Sequence, residues 1–115
     1  MKTWIKVLIG AVILIAGVWI FYPSNDGPGE YDEFAQCLTD AGAVMYGTSW
    51  CSHCQDQKKR FGKSFQYVNY VDCDKNKDEC LAAGVSGYPT WIMKGESYSG
   101  NKPLMSLASL TGCEL

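Results

Sequence analysis

One pentapeptide, Trp50-Cys51-Ser52-His53-Cys54, constrains this chain more than any other stretch. Its two thiols, two residues apart, follow the apolar run Ala43-Val44-Met45-Tyr46 and precede Gln55-Asp56-Gln57-Lys58-Lys59-Arg60, which reads as helix. A strand running into a helix puts Cys51 where unpaired backbone N–H groups and the positive end of the helix dipole converge, and an anion is favoured there. A thiolate is such an anion, and it is the thiolate that attacks a disulfide. His53, the only histidine of the chain, adds a second source of positive charge beside the sulfur. The competing use of this spacing is half of a zinc site, which needs a second cysteine pair at knuckle-like spacing. Cys73 and Cys80 are too far apart to form one, so no metal is expected.

With 115 residues, one compact domain plus an extension is the natural division. With a net charge of −2 and no long basic stretch, nothing in the charge pattern points to a nucleic-acid partner. The one basic cluster, Lys58-Lys59-Arg60, reads as the solvated face of a helix.

The N-terminus carries Lys2 and Lys6 and then no charge from Val7 to Tyr22. Counted from Trp4, with Lys6 snorkelling to the headgroups, the stretch reaches the roughly 20 residues that cross a bilayer. Trp4, Trp19 and Tyr22 lie near its two ends, where interfacial aromatics belong. Residues 1–22 are therefore expected to be an uncleaved single-pass anchor, although the basic start and apolar core also fit a signal peptide. No Ala-x-Ala follows, which favours the anchor. No Lys or Arg appears between Lys6 and Lys58, so the N-terminus is expected in the cytoplasm and the rest of the chain outside. Six cysteines in so small a chain agree with an oxidising compartment.

Residues 23–30, rich in turn formers, read as a short linker, and residues 31–115 as the folded domain. In that domain Tyr31, Phe34, Cys37 and Leu38 share one helical face, with Gly42 as the stop. Ala43 to Thr48 reads as a buried strand and Gln55 to Phe61 as the continuing motif helix, stopped at Gly62. Tyr67 to Val71 alternates as a strand should, and Asp74 to Ala83 reads as a short polar helix ended by Gly84. Thr90 to Met93 and Ser97-Tyr98 flank a turn at Lys94-Gly95-Glu96. Leu104, Leu107, Ala108 and Leu110 mark a last helix.

This element order, together with the Cys51 motif and Gly87-Tyr88-Pro89-Thr90, resembles the α/β thioredoxin fold, a mixed central sheet flanked by helices. The resemblance narrows on Phe34-Ala35-Gln36-Cys37-Leu38, Met45-Tyr46-Gly47, Cys54-Gln55-Asp56-Gln57-Lys58, Phe61-Gly62, Tyr70-Val71-Asp72-Cys73 and Tyr88-Pro89-Thr90-Trp91. These are similar to the thioredoxin-like domain fused to, or paired with, homologues of vitamin K epoxide reductase. The resemblance implies a dithiol oxidase. It would take electrons from cysteines of exported proteins and pass them to a separate multi-span membrane reductase, using no cofactor beyond its own redox-active disulfide. It makes Cys51 the attacking cysteine, Cys54 the buried resolving one and His53 the oxidising element of the dipeptide. Trp50, Tyr88 and a cis-Pro89 would meet the substrate, with an ordinary trans turn at Pro89 as the alternative. Thioredoxins proper carry a buried carboxylate where Met45 stands, and its loss weakens a reductase reading.

Four cysteines remain, with three possible connectivities. Cys73 and Cys80 bracket a gap short enough to close locally, which leaves Cys37 to tie the first helix to Cys113. A relay between Cys73–Cys80 and Cys51 is the functional alternative to a structural bridge. A reductase or isomerase on the same scaffold, and a module binding a soft metal such as Cu(I) through Cys51, His53 and Cys54, are the other readings of function.

Overall fold

The computed structural model describes residues 27–115. The expected membrane anchor and residues 23–26 of the linker lie outside the described residues. Among the described residues no helix is long and apolar enough to cross a membrane.

The order of elements is helix α1 (Asp32–Asp40), strand β1 (Val44–Gly47), helix α2 (Ser52–Phe61), a 3-10 segment (Gly62–Tyr67), strand β2 (Tyr70–Asp72), helix α3 (Lys77–Ala82), strands β3 (Thr90–Met93) and β4 (Glu96–Ser99), and helix α4 (Leu104–Thr111). The four strands form one sheet in the order β2-β1-β3-β4. β1 runs parallel to β2 and antiparallel to β3, and β3 and β4 form an antiparallel hairpin. At the hairpin turn Lys94 and Gly95 both have positive φ, 51° and 79°. That is the two-residue geometry matching the right-handed twist of the flanking strands.

Strand register decides which side chains share a face. Met45 lies opposite both Tyr70 and Trp91, and Trp91 opposite Tyr98, so these four form one row across the sheet. Their face carries the main core, with Phe34 and Leu38 from α1, Cys54 and Phe61 from α2, and Leu107 from α4. Phe61 is its hub, with ring centroids 6.2 Å from Phe34, 5.9 Å from Phe65 and 6.1 Å from Trp91. Such pairs contribute about 0.5–1.5 kcal/mol each beyond the area they bury. Tyr46, Val71 and Ile92 occupy the opposite face, where they pack with Cys73, Cys80, Ala83 and Val85 around α3.

Both α1 and α3 end in the same way. In α1 the Gly42 N–H donates to Thr39 O and the Ala43 N–H to Leu38 O, while in α3 Gly84 donates to Leu81 O and Val85 to Cys80 O. This double bond pattern needs a left-handed residue after the helix, and Gly42 (φ 85°) and Gly84 (φ 78°) supply it. The stops read from these glycines are the observed ones.

Several boundaries differ from the sequence reading, and Glu96, expected in the turn, pairs with Met93 as the first residue of β4. The strand expected from Tyr67 begins only at Tyr70, because the Thr39 hydroxyl donates to Tyr67 O and accepts from Asn69 N, which holds this segment against α1. Residues Gly62–Tyr67 form a 3-10 segment instead, with buried Ser64 accepting from the Tyr31 N–H. The helix expected from Asp74 starts at Lys77. Asp72 accounts for the delay, since its carboxylate accepts from the Asp74 N–H and its carbonyl from the Lys75 and Asn76 N–H groups.

Two disulfides close the domain, Cys37–Cys113 and Cys73–Cys80. With sequence separations of 76 and 7, the chain-entropy argument assigns them about 4.5 and about 2.5 kcal/mol as upper figures. At the start of the domain, a Cβ on Gly29 would collide with Ser64, so residues read as linker already pack against the 3-10 segment.

Candidate active site

β1 aims the chain at the site and α2 receives it. Cys51 is the N-cap of α2, in extended conformation, and its Sγ accepts the Cys54 N–H at 3.1 Å. The sulfur thus takes the place of the side-chain oxygen that usually caps a helix, facing the unpaired N–H groups of the first turn. The Gln55 side chain fastens the approach loop by donating to Ser49 O at 2.8 Å.

Both motif cysteines are free thiols, Cys51 at 7% exposure and Cys54 at 0%. An incoming sulfur therefore meets Cys51 first. Burial, followed by the hydrogen bond with Cys51, pushes the Cys54 thiol up to about 12, while a backbone hydrogen bond to Thr48 and the charge of Lys58 act in the opposite direction. Gly47 makes room for this sulfur: a Cβ there would sit 2.9 Å from Cys54 Sγ and 3.3 Å from Tyr70 Cε2. Met45 is fully buried in the same core and offers no proton acceptor. His53 is exposed on the first turn of α2.

The Tyr88-Pro89 bond is cis, and Pro89 is fully buried. Thr90 Oγ1 donates to Gly87 O at 2.7 Å and the Gly100 N–H to Pro89 O at 2.8 Å, fixing the loop from both sides. Trp50, 68% exposed, meets the Tyr88 ring edge-on at 6.0 Å and donates through Nε1 to Asp74 at 2.9 Å. Trp50 and Tyr88 thus present an apolar, half-solvated surface flanking the motif. Beyond Tyr88 it runs into a shallow groove walled by Leu81, Val85 and the Cys73–Cys80 bridge.

The structure sets Tyr88, beside the cis-Pro89, against Trp50, the residue before Cys51, and places Cys51 over the Cys54 N–H. The Cys73–Cys80 bridge packs on the α3 side of the sheet and walls the groove that begins at Tyr88, whereas Cys51 and Cys54 belong to the main core. The pair ties α3 to the end of β2. Among the described residues no group of three His, Cys, Asp or Glu could hold a metal ion. Sequence reasoning missed Gly47, Tyr70, Asp74 and Lys58. Lys58, assigned to a solvated face, is half-buried with Nζ 4.1 Å from the Tyr70 ring centroid. A signal was available, because Lys58 follows Cys54 by four residues and so shares its face of the helix.

The thioredoxin family model matches residues 28–110. The chain belongs to the thioredoxin family. It is 40% identical over 90 residues to the thiol-disulfide oxidoreductase LTO1 of Arabidopsis thaliana, across 70% of this chain and 24% of that protein. It is 34% identical over 90 residues to protein disulfide isomerase-like 2-2 of Oryza sativa subsp. japonica, across 65% of this chain and 24% of that protein. The chain thus spans about a quarter of the length of these relatives. A thioredoxin from Halobacterium salinarum aligns with a TM-score of 0.49 at 23% identity, over 82% of this chain and 97% of that one. The family assignment rests on the sequence matches, which accord with the α/β thioredoxin-like fold.

Proposed function

We propose that this protein is a membrane-anchored dithiol oxidase, which forms disulfides in exported proteins and passes the electrons to a separate homologue of vitamin K epoxide reductase. The observation that carries the oxidase reading is the helix-capping Cys51 above a Cys54 that has Met45, not a carboxylate, in its core. In the exchange, a substrate thiolate attacks Cys51 of the oxidised pair and Cys54 leaves; a second substrate thiolate then attacks the substrate sulfur of the mixed disulfide, forming the product disulfide and releasing Cys51 as a thiolate. Trp50, Tyr88 and the cis-Pro89 loop would seat the substrate segment, and His53 would add positive charge near the motif. No cofactor is required beyond the Cys51–Cys54 disulfide.

The anchor and its orientation are supported by Lys2 and Lys6 ahead of the uncharged run that ends at Tyr22. Two disulfides in so small a domain support a location outside the cytoplasm. The membrane partner is supported by the motif resemblance alone. A second reading, disulfide isomerase on the same scaffold, is favoured by the isomerase names among the relatives.

The reduction potential of the full-length chain, equilibrated against glutathione buffers, tests the direction of electron flow. An oxidase should lie nearer about −120 mV, whereas a value near about −270 mV would assign the chain to reduction.

A further inference from the structure

Thiol–disulfide exchange at this site places a negative charge on Cys54 in either direction of electron flow, and that sulfur is fully buried. Among the described groups that act on Cys54, none is a carboxylate, so the charge must be met by something else. The Tyr70 ring borders the niche that holds that sulfur, and the charge of Lys58 acts on it. The niche above Gly47 is bordered by Cys54 Sγ on one side and the Tyr70 ring edge, next to its hydroxyl, on the other. The Tyr70 hydroxyl is buried and has no hydrogen-bond partner. An orphaned buried donor costs roughly 1–3 kcal/mol, and burial of Tyr70 in the core would be served equally by phenylalanine. The Lys58 ammonium sits 4.1 Å from the Tyr70 ring centroid and 5.5 Å from that of Phe65, one helical turn beyond Cys54.

We propose that Lys58 and Tyr70 form a thiolate cradle for Cys54, the ammonium facing its developing charge and the phenol O–H gaining in the thiolate the acceptor it otherwise lacks. The proposal rests on the reading of Cys51–Cys54 as the exchanging pair. When a substrate thiolate bonds to Cys51 Sγ, the Cys51–Cys54 bond breaks and its electron pair moves to Cys54 Sγ, where the cradle receives it. In the reverse step Cys54, having lost its proton to water, attacks Cys51 Sγ and expels the substrate as a thiolate. The charged and titratable groups around the cradle are Cys51, Asp72 and Asp74 as well as Lys58 and Cys54. Burial first, then Asp72, Cys54, Cys51 and Asp74, pushes the Tyr70 phenol up to about 12, which keeps it a donor through the neutral range.

The experiment loads Cys51 of the full-length chain with a thionitrobenzoate disulfide and follows release of the coloured thiolate by Cys54 in single turnover, as a function of pH. Lys58→Met should slow release at pH 7 by about fivefold or more and move the rate profile to higher pH, with Lys58→Arg recovering most of the loss. Tyr70→Phe should slow release by about tenfold or more, as expected for a hydrogen bond to a charged group. Lys59→Met, which removes an exposed charge from the same helix, should release at the wild-type rate. Circular dichroism confirms folding, and if Lys58→Met fails to fold, the conservative Tyr70→Phe decides. Wild-type rates and an unchanged pH profile in both Lys58→Met and Tyr70→Phe would overturn the cradle. A wild-type chain that retained the label would overturn the redox reading itself, and the cradle with it.

Discussion

Gln57 is fully buried, one turn beyond Cys54, and its amide is the polar joint of the main core. Its Oε1 accepts from Trp91 Nε1 at 3.1 Å and from the Lys102 N–H at 2.6 Å, and its Nε2 donates to Lys102 O at 3.0 Å. One side chain therefore fastens the redox helix to β3 and to the loop that leads into α4. Gln57→Met keeps the volume and removes all three bonds. Trp91 is fully buried, so its orphaned N–H costs about 1–3 kcal/mol, whereas the half-buried Lys102 backbone can turn to water and each bond lost there costs about 0.5–1.5 kcal/mol. Allowing for the apolar gain of methionine, the net loss is about 3 kcal/mol. For a domain of this size that lowers Tm by roughly 12–24 °C. The assay is thermal and urea unfolding of the oxidised protein, with both structural disulfides intact. A Tm within about 4 °C of wild type would refute the claim that this amide holds the helix in place.

Further outcomes follow from the bridges and from the buried thiol. Replacing both Cys37 and Cys113 by Ser should cost more stability than replacing both Cys73 and Cys80, about 4 against about 2 kcal/mol, because the first loop is much longer. Equal losses in urea unfolding would contradict the chain-entropy account. For pH, the folded reduced domain holds the Cys54 proton up to about 12, while an ordinary thiol releases it near 9.0. Between those values the folded state binds more protons than the unfolded one, so the stability of the reduced domain falls as pH rises. Oxidised protein has no such thiol, and the Tm of the reduced form relative to that of the oxidised form should fall from pH 8 to pH 11. A constant gap would mean that Cys54 is not held protonated by the fold.

Gln57 also shows where the sequence stops being legible. In Gln55-Asp56-Gln57-Lys58 it looks like one more solvated residue, yet Cys54, Gln57 and Phe61 are the three buried positions of α2 at spacings of three and four. The apolar members define the stripe, and the glutamine on it is hidden by its own polarity. Lys58 is misread for the same reason, since an ammonium can snorkel over the Tyr70 and Phe65 rings while its stem is half-buried. The legible features are those with local geometry: glycine stops after α1 and α3, the Lys94-Gly95 turn, and cysteines close enough in sequence to bridge. Contacts between distant segments, such as Thr39 with Tyr67 and Asn69 or Ser64 with Tyr31, decide where β2 starts and leave no trace in any short window of sequence.

The most direct test of the central claim traps the exchange intermediate. Cys51, the more accessible sulfur at the helix cap, should form the bond to a partner, and Cys54 should be the group that frees it. Full-length Cys54→Ala, expressed in its native membrane, should accumulate dithiothreitol-sensitive adducts with exported proteins and with a multi-span membrane protein, seen on non-reducing gels and identified by mass spectrometry. Cys51→Ala should accumulate few or none. Equal trapping by the two variants, or none by either, would contradict the account.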